Sequence, residues 1–183
     1  MSYYKVLSKP ISTTASPNYK GLYRSEPFPN VGANNQFIAL WERYVQYLVD
    51  ERGITIELTI NELKDFANLA SQATDDCYEV IFFDENSNCP LKSNYYGIDV
   101  TGRGGYSMLG ENLFRNPANN DNKLYYLFEV INQYFNKKLN EYGLFGNIED
   151  ATLFQGVLKE CNHFFPNHIE EEEWHTVHVF KII

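Results

Sequence analysis

Apolar side chains recur at spacings of three and four residues in four segments of the chain, a pattern that predicts four amphipathic helices. The first segment covers residues 34–52 and is followed by Gly53, a residue type that commonly ends helices. The second covers about 60–71 and is preceded by Thr59, with Glu62 three residues further on. This is the capping-box pattern, in which the two side chains satisfy backbone amides at a helix start. Both segments are therefore predicted to be helices.

The two other helical segments lie in the second half of the chain. One begins at Asp121 or Asn122, either of which can cap a helix, and is predicted to end at Gly143. The other begins after Asn147, and its apolar residues are predicted to share one side of the helix. These residues are Leu153, Phe154, Val157, Leu158 and Cys161.

Four shorter segments are rich in β-branched and aromatic residues and are predicted to be strands. They cover residues 3–7, 77–83, 95–100 and 174–183. The run at 77–83 is almost continuously apolar, which is typical of a central strand. The run at 174–183 is expected to pair within the sheet, because an apolar strand with unpaired backbone groups would promote aggregation. By contrast, residues 10–33 are rich in Pro, Ser, Thr and Asn and are predicted to form a long surface loop.

These elements do not alternate regularly, do not repeat and are not separated by a linker, so residues 1–183 are predicted to form a single globular domain. We expect an α+β fold in which about four helices pack on a mixed or antiparallel sheet of four to five strands. The apolar content of 44% supports a packed core rather than a disordered chain.

The formal net charge is −9, and the chain has no cluster of Lys and Arg residues. An acidic surface repels phosphate groups, so nucleic-acid binding is not expected. No apolar run approaches the length of about 20 residues that spans a bilayer, and the first residues lack the apolar stretch of a signal peptide. Three cysteines without a CxxC pair are consistent with reduced thiols. We therefore expect a cytoplasmic protein without membrane association.

A glycine-rich stretch at 97–114 is the first candidate for ligand chemistry. Gly105 and Gly110 have the spacing of a phosphate-binding loop, but Glu111 follows where that motif requires lysine. Ser107 lacks the glycine two residues further on that a nucleophile turn requires. The glycines are therefore predicted to bend the backbone, and no cofactor is expected.

The four histidines, His163, His168, His175 and His178, suggest a metal site because they lie close together in the sequence. Their spacing argues against it, since the chain has neither an HExxH motif nor a pair of histidines four residues apart. His175 and His178 would also face opposite sides of an extended strand. We expect no metal site.

A group of carboxylates is the remaining candidate for catalysis. Asp84 and Glu85 follow one predicted strand, Asp99 lies near the end of another, and Arg103 comes soon after it. If the strand ends converge, these residues could form an acid/base pair or hold a divalent cation. Turn formation by Asp84 and local hydrogen bonding are the structural alternatives.

Two classes of function follow. The first is a protein-binding or inhibitory protein, similar in role to an immunity protein or antitoxin, that recognises a basic partner through aromatic and acidic residues. The second is an enzyme acting on a small molecule, with or without a divalent metal, at the carboxylates near Asp84 and Asp99. Candidate binding residues for the first class are Tyr23, Phe28, Glu170, Glu171, Glu172 and Glu173.

Overall fold

The computed structural model describes residues 2–9, 11–16, 19–23, 26–30, 33–49, 58–74, 76–102, 127, 130–131, 133–164 and 173–183. The strands in this part of the chain are β1 (Ser2–Ser8), β2 (Ile11–Ser16), β3 (Tyr19–Tyr23), β4 (Tyr78–Asp84), β5 (Ser93–Gly102) and β6 (Trp174–Ile182). The helices are α1 (Asn35–Val49), α2 (Ile60–Ala73), α3, whose described helical residues are 127, 130–131 and 133–136, and α4 (Ile148–Phe164). No helix among the described residues is long and apolar enough to cross a membrane.

Four of the strands form one antiparallel sheet with the order β1-β4-β6-β5. Together with the helices, this sheet gives a single-domain α+β arrangement, which confirms the predicted fold class. The apolar β4 is central, as its composition predicts, and every residue after its first is buried. The expectation that 174–183 pairs within the sheet is also confirmed, because β6 has a hydrogen-bonded neighbour on each side.

The segment predicted as a surface loop contains a hairpin instead. β2 and β3 pair in antiparallel orientation, with Ile11 opposite Tyr23 and Ser16 opposite Tyr19. The prolines and asparagines around these residues favour a loop, whereas the β-branched residues of β2 favour an extended backbone.

The two faces of the four-stranded sheet are packed differently. On the first face, Phe82 and Phe180 belong to a core cluster that includes residues of α1 and α2. α3 and α4 contribute to a second cluster around Trp174, the first residue of β6. On the second face, a third cluster joins alternate residues of the central strands, Ile81, Phe83, Val177 and Val179, to Leu144 of the turn before α4.

Both edges of this sheet are bonded to other parts of the chain. At the β1 edge, the backbone amide of Val6 donates to the buried hydroxyl of Tyr44 on α1 at 2.8 Å. At the β5 edge, Ile98 and Phe145 exchange two backbone hydrogen bonds of 2.9 Å each. The close approach at this edge requires Gly97, whose φ is +143° and whose Cβ, if present, would lie 2.8 Å from the Phe145 carbonyl oxygen.

Three of the predicted helix-end signals fall on described residues, and two of these form as predicted; Gly53, Asp121 and Asn122 lie outside the described residues. Thr59 and Glu62 form the predicted capping box, and hydrogen bonds from Arg43 and Thr59 lower the pKa of Glu62 to about 2. Asn147 caps α4 by accepting a hydrogen bond of 2.8 Å from the Asp150 amide. Gly143, however, does not end α3. The described helical residues stop at 136, and Gly143 occupies a tight turn with a φ of +74°.

Candidate functional site

The carboxylates predicted to form a group at the strand ends lie on opposite faces of the sheet. Asp84 on β4 is opposite His178 on β6, which is in turn opposite Ile98 on β5. Asp99 follows Ile98 and is opposite Val177. Directly opposed residues share a face, whereas successive residues of a strand alternate between faces. The predicted group of Asp84 and Asp99 is therefore not formed, because strand alternation and the intervening β6 separate the two side chains.

The carboxylate of Asp84 closes the turn that follows β4. One oxygen accepts a hydrogen bond of 2.8 Å from the Ser2 hydroxyl, and the other accepts from the backbone amides of Asn86 at 3.1 Å and Asn88 at 2.7 Å. The Asn88 amide is the main cause that holds the pKa of Asp84 below its usual value. This is the turn-forming role that the sequence offers as the alternative to catalysis.

Asp99 has a comparable local role at the other edge of the sheet. Its side chain is fully buried, and one carboxylate oxygen accepts a hydrogen bond of 2.8 Å from the amide of Val100. This hydrogen bond stabilises the strand, because burying the Val100 amide without an acceptor would be costly.

The remaining residues of the carboxylate group are also dispersed. Glu85 lies 3.4 Å from His175 on the second face, whereas His178 lies on the first face, 3.1 Å from the hydroxyl of Tyr95. Burial lowers the pKa of His178, and the nearby charge of Asp84 offsets part of this effect. Arg103 lies outside the described residues. Within the described part of the chain, no group of three His, Cys, Asp or Glu side chains could hold a metal ion.

The residues predicted to bind a partner lie in different segments of the chain. Tyr23 is the last residue of β3. Glu170, Glu171 and Glu172 lie outside the described residues, and Glu173 is exposed immediately before β6. Phe28 has 67% of its surface exposed. Of these residues, Phe28 has the clearest geometry for contact with another molecule.

Phe28 is held at the surface by its neighbours. Residues 26–28 alternate between exposed and buried, so that Glu26 and Phe28 face outward on either side of the buried Pro27. The Phe28 ring meets the ring of Trp41 on α1 edge to face, with 5.3 Å between the centroids. We call Glu26, Phe28, Trp41 and the exposed Glu42 the Phe28 surface.

A second exposed surface lies on α3. Leu127, Val130 and Tyr134 are spaced by three and four residues, so they share one side of the helix. All three are exposed, and Val130 has 63% of its surface accessible to solvent. The other side of α3 is packed, since Phe135 is buried in the core and Ile131 packs against the same cluster.

Exposed apolar residues also lie on α4, which packs against α3. Leu153 and Phe164 are separated by eleven residues, or about three helical turns, and so lie on the same side of α4. Both are exposed, although Leu153 was predicted to share one side of the helix with Phe154 and Leu158, which are buried. We call Leu127, Val130, Tyr134, Leu153 and Phe164 the helix-pair surface.

Two contacts hold α3 and α4 together beneath this surface. The rings of Phe135 and Phe154 pack at 4.7 Å between centroids. Lys138 forms an ion pair with Asp150, one turn before Leu153, while its ammonium group lies 5.1 Å from the centroid of the Tyr134 ring. The ion pair raises the pKa of Lys138 and lowers that of Asp150. The exposed sides of the two helices therefore meet at this end.

Our sequence interpretation did not identify the helix-pair surface, although part of the signal is present. Both sides of α3 have apolar residues at helical spacing. One side can pack against the core, but the other side is then left exposed. On α4, Leu153 lies at the margin of the apolar side, where spacing alone does not separate buried from exposed positions.

Comparison of the chain with protein-family models, with curated proteins and with solved structures found no match.

Proposed function

We propose that this protein binds a basic protein partner and acts by occupying it, as an inhibitory protein of the immunity or antitoxin type does. The observation that carries the proposal is the helix-pair surface, on which five large apolar side chains lie exposed on two packed helices. Single exposed apolar residues are ordinary in proteins, whereas a group of them on one surface is typical of an interaction site.

The composition of the surface fits this role. Tyr134 is of a residue type that often dominates binding energy, because it buries a large area at a low cost in side-chain entropy. The apolar side chains are presented on helices packed to the core, so little ordering is needed when a partner binds. Burial of each half-exposed side chain contributes about 1 kcal/mol to binding.

The charge of the chain supports a basic partner. The net charge is −9, and Glu141, Glu149 and Glu160 are exposed on or beside α4. An acidic protein attracts a basic one over a distance of about 10 Å at moderate salt, which accelerates their encounter. We therefore expect the association rate to fall as the salt concentration rises.

The enzymatic alternative has less support. It required Asp84 and Asp99 in one site, whereas the two lie on opposite faces of the sheet with a strand between them. Each carboxylate also accepts hydrogen bonds from nearby backbone amides.

The proposal is tested by substituting the centre of the helix-pair surface. The full chain, immobilised, is used to capture proteins from cells of its source, and captured proteins are compared between wild type, Val130→Asp and Leu91→Asp. Leu91 is an exposed leucine between β4 and β5 and serves as the matched control. We expect one or more basic proteins whose affinity falls about tenfold or more in Val130→Asp and is unchanged in Leu91→Asp.

Two outcomes would contradict the proposal. One is that Val130→Asp captures every protein that wild type captures. The other is that the specific partner is acidic and its association rate is independent of salt, which would remove the electrostatic part of the argument.

A further inference from the structure

The backbone around Phe28 is restricted to few conformations. Phe28 lies between Pro27 and Pro29, whose rings fix their own backbone φ angles. Glu26 and Phe28 each precede a proline, which restricts their backbone to extended conformations. The buried Pro27 and the edge contact with Trp41 then fix the direction of the Phe28 ring. A ligand that contacts this ring therefore does not have to order it first.

The ring is open to solvent although it is the most apolar part of this segment. Phe28 is 67% exposed although its ring contacts that of Trp41. The face of an aromatic ring carries partial negative charge and attracts cations, and Trp41 extends the aromatic area beside it. An exposed phenylalanine in contact with a tryptophan can thus accept either an apolar group or a cation.

Carboxylates near the two rings favour the cation. Glu26 faces the same side of the extended segment as Phe28, and Glu42 follows Trp41 on α1. Glu42 is exposed, and Glu26 forms a partly exposed ion pair with Lys5 at 3.6 Å, a kind of pair that contributes little stability and can exchange partners. One carboxylate two residues from Phe28 and one next to Trp41 in the chain make the neighbourhood of the two rings complementary to a side chain with a long apolar stem and a cationic end.

We propose that the Phe28 surface receives an arginine side chain of the basic partner, with its guanidinium against the Phe28 ring and within reach of Glu26 or Glu42. Arginine fits better than lysine because its planar group both stacks on rings and pairs with carboxylates. The proposal rests on the proposed function for the existence of a basic partner, but it concerns a different surface of the protein.

The test uses peptides in place of the partner. Acetylated hexa-arginine amide is titrated into the full chain, and the indole N–H signal of Trp41 is followed by NMR. Hexacitrulline, which has the same shape without the charge, is the matched peptide control. We expect the Trp41 signal to shift with hexa-arginine and binding of hexacitrulline at this site to be at least about fivefold weaker.

Two variants separate an aromatic contact from a merely apolar one. Phe28→Leu keeps an apolar side chain and removes the ring, so its affinity for hexa-arginine at Trp41 is expected to fall about fivefold, whereas Phe28→Tyr is expected to bind like wild type. Position 28 is exposed, so neither variant is expected to affect folding, and circular dichroism checks this directly. Equal affinity of Phe28→Leu and wild type, or equal shifts with the two peptides, would overturn the proposal.

The outcome can be separated from that of the proposed function. If Val130→Asp abolishes capture of a basic partner while Phe28→Leu binds hexa-arginine like wild type, the helix-pair surface stands and the arginine site is wrong. If Phe28→Leu weakens hexa-arginine binding and Val130→Asp leaves capture unchanged, the arginine site stands and the role of the helix-pair surface is wrong.

Discussion

The turn after β4 and the helix-pair surface differ in how far their side chains already make contacts within the chain. At the turn, Asp84 accepts three hydrogen bonds from its own chain, and 3% of its surface is exposed. On the helix pair, Val130 and Phe164 each have about two thirds of their surface exposed. A carboxylate is a frequent catalytic group and a valine is not, yet here the carboxylate stabilises the fold and the valine is accessible to a partner. Accessibility, rather than residue type, distinguishes the two regions.

The largest effect is expected from removing the Asp84 carboxylate. Asp84→Ala leaves the amides of Asn86 and Asn88 without their acceptor, so we expect the free energy of unfolding to fall by about 2–3 kcal/mol. Urea unfolding followed by circular dichroism measures this change.

Asp65→Ala is the matched control for that substitution. Asp65 is exposed on α2, so its removal is expected to change the free energy of unfolding by less than about 0.5 kcal/mol. If Asp84→Ala were as stable as Asp65→Ala and lost partner binding instead, the turn would be a binding site and the comparison would fail.

A smaller effect is expected from changing only the charge at this turn. Asp84→Asn keeps one acceptor oxygen, so we expect a loss of about 1–2 kcal/mol at pH 7. Because hydrogen bonds lower the pKa of Asp84 in the folded protein, its charge stabilises the fold above the unfolded pKa of about 3.9. This contribution is lost as the pH falls through the lower pKa of the folded state.

Urea unfolding of wild type and Asp84→Asn at several pH values between 7 and 2.5 tests the sign. The stabilities of the two proteins are expected to converge below about pH 4. A difference that stays constant over the whole range would show that the Asp84 charge does not contribute to stability.

The smallest effect on stability is expected on the helix-pair surface. Leu153 has 48% of its surface exposed, so Leu153→Ser is expected to change the free energy of unfolding by less than about 0.5 kcal/mol. Affinity for the partner is expected to fall in the same variant. A stability loss above about 2 kcal/mol would instead place Leu153 in the core.

The parts of the fold that sequence predicts well depend on local chemistry. The capping box at Thr59 and Glu62 and the cap at Asn147 each need only a few neighbouring residues, and both form. The central position of β4 follows from its continuous apolar run, since a strand buried on both sides has no polar alternation.

The errors concern positions whose environment is set by distant parts of the chain. The hairpin of β2 and β3 depends on pairing between strands that are weakly apolar. The relation between Asp84 and Asp99 depends on β6, more than 70 residues further along the chain, which lies between their strands. A sequence pattern places each carboxylate near a strand end, but the faces they occupy are known only once the strand order and register are known.

The bonded edges of the sheet limit how this protein can join with others. A foreign strand extending the sheet would have to bond to amides and carbonyls that already have partners at Val6 and Ile98. Recruitment into a growing β-fibre, or capture of an extended peptide by strand addition, is therefore disfavoured at these two points. At these two points, contact with another protein would rely on side chains rather than on backbone pairing.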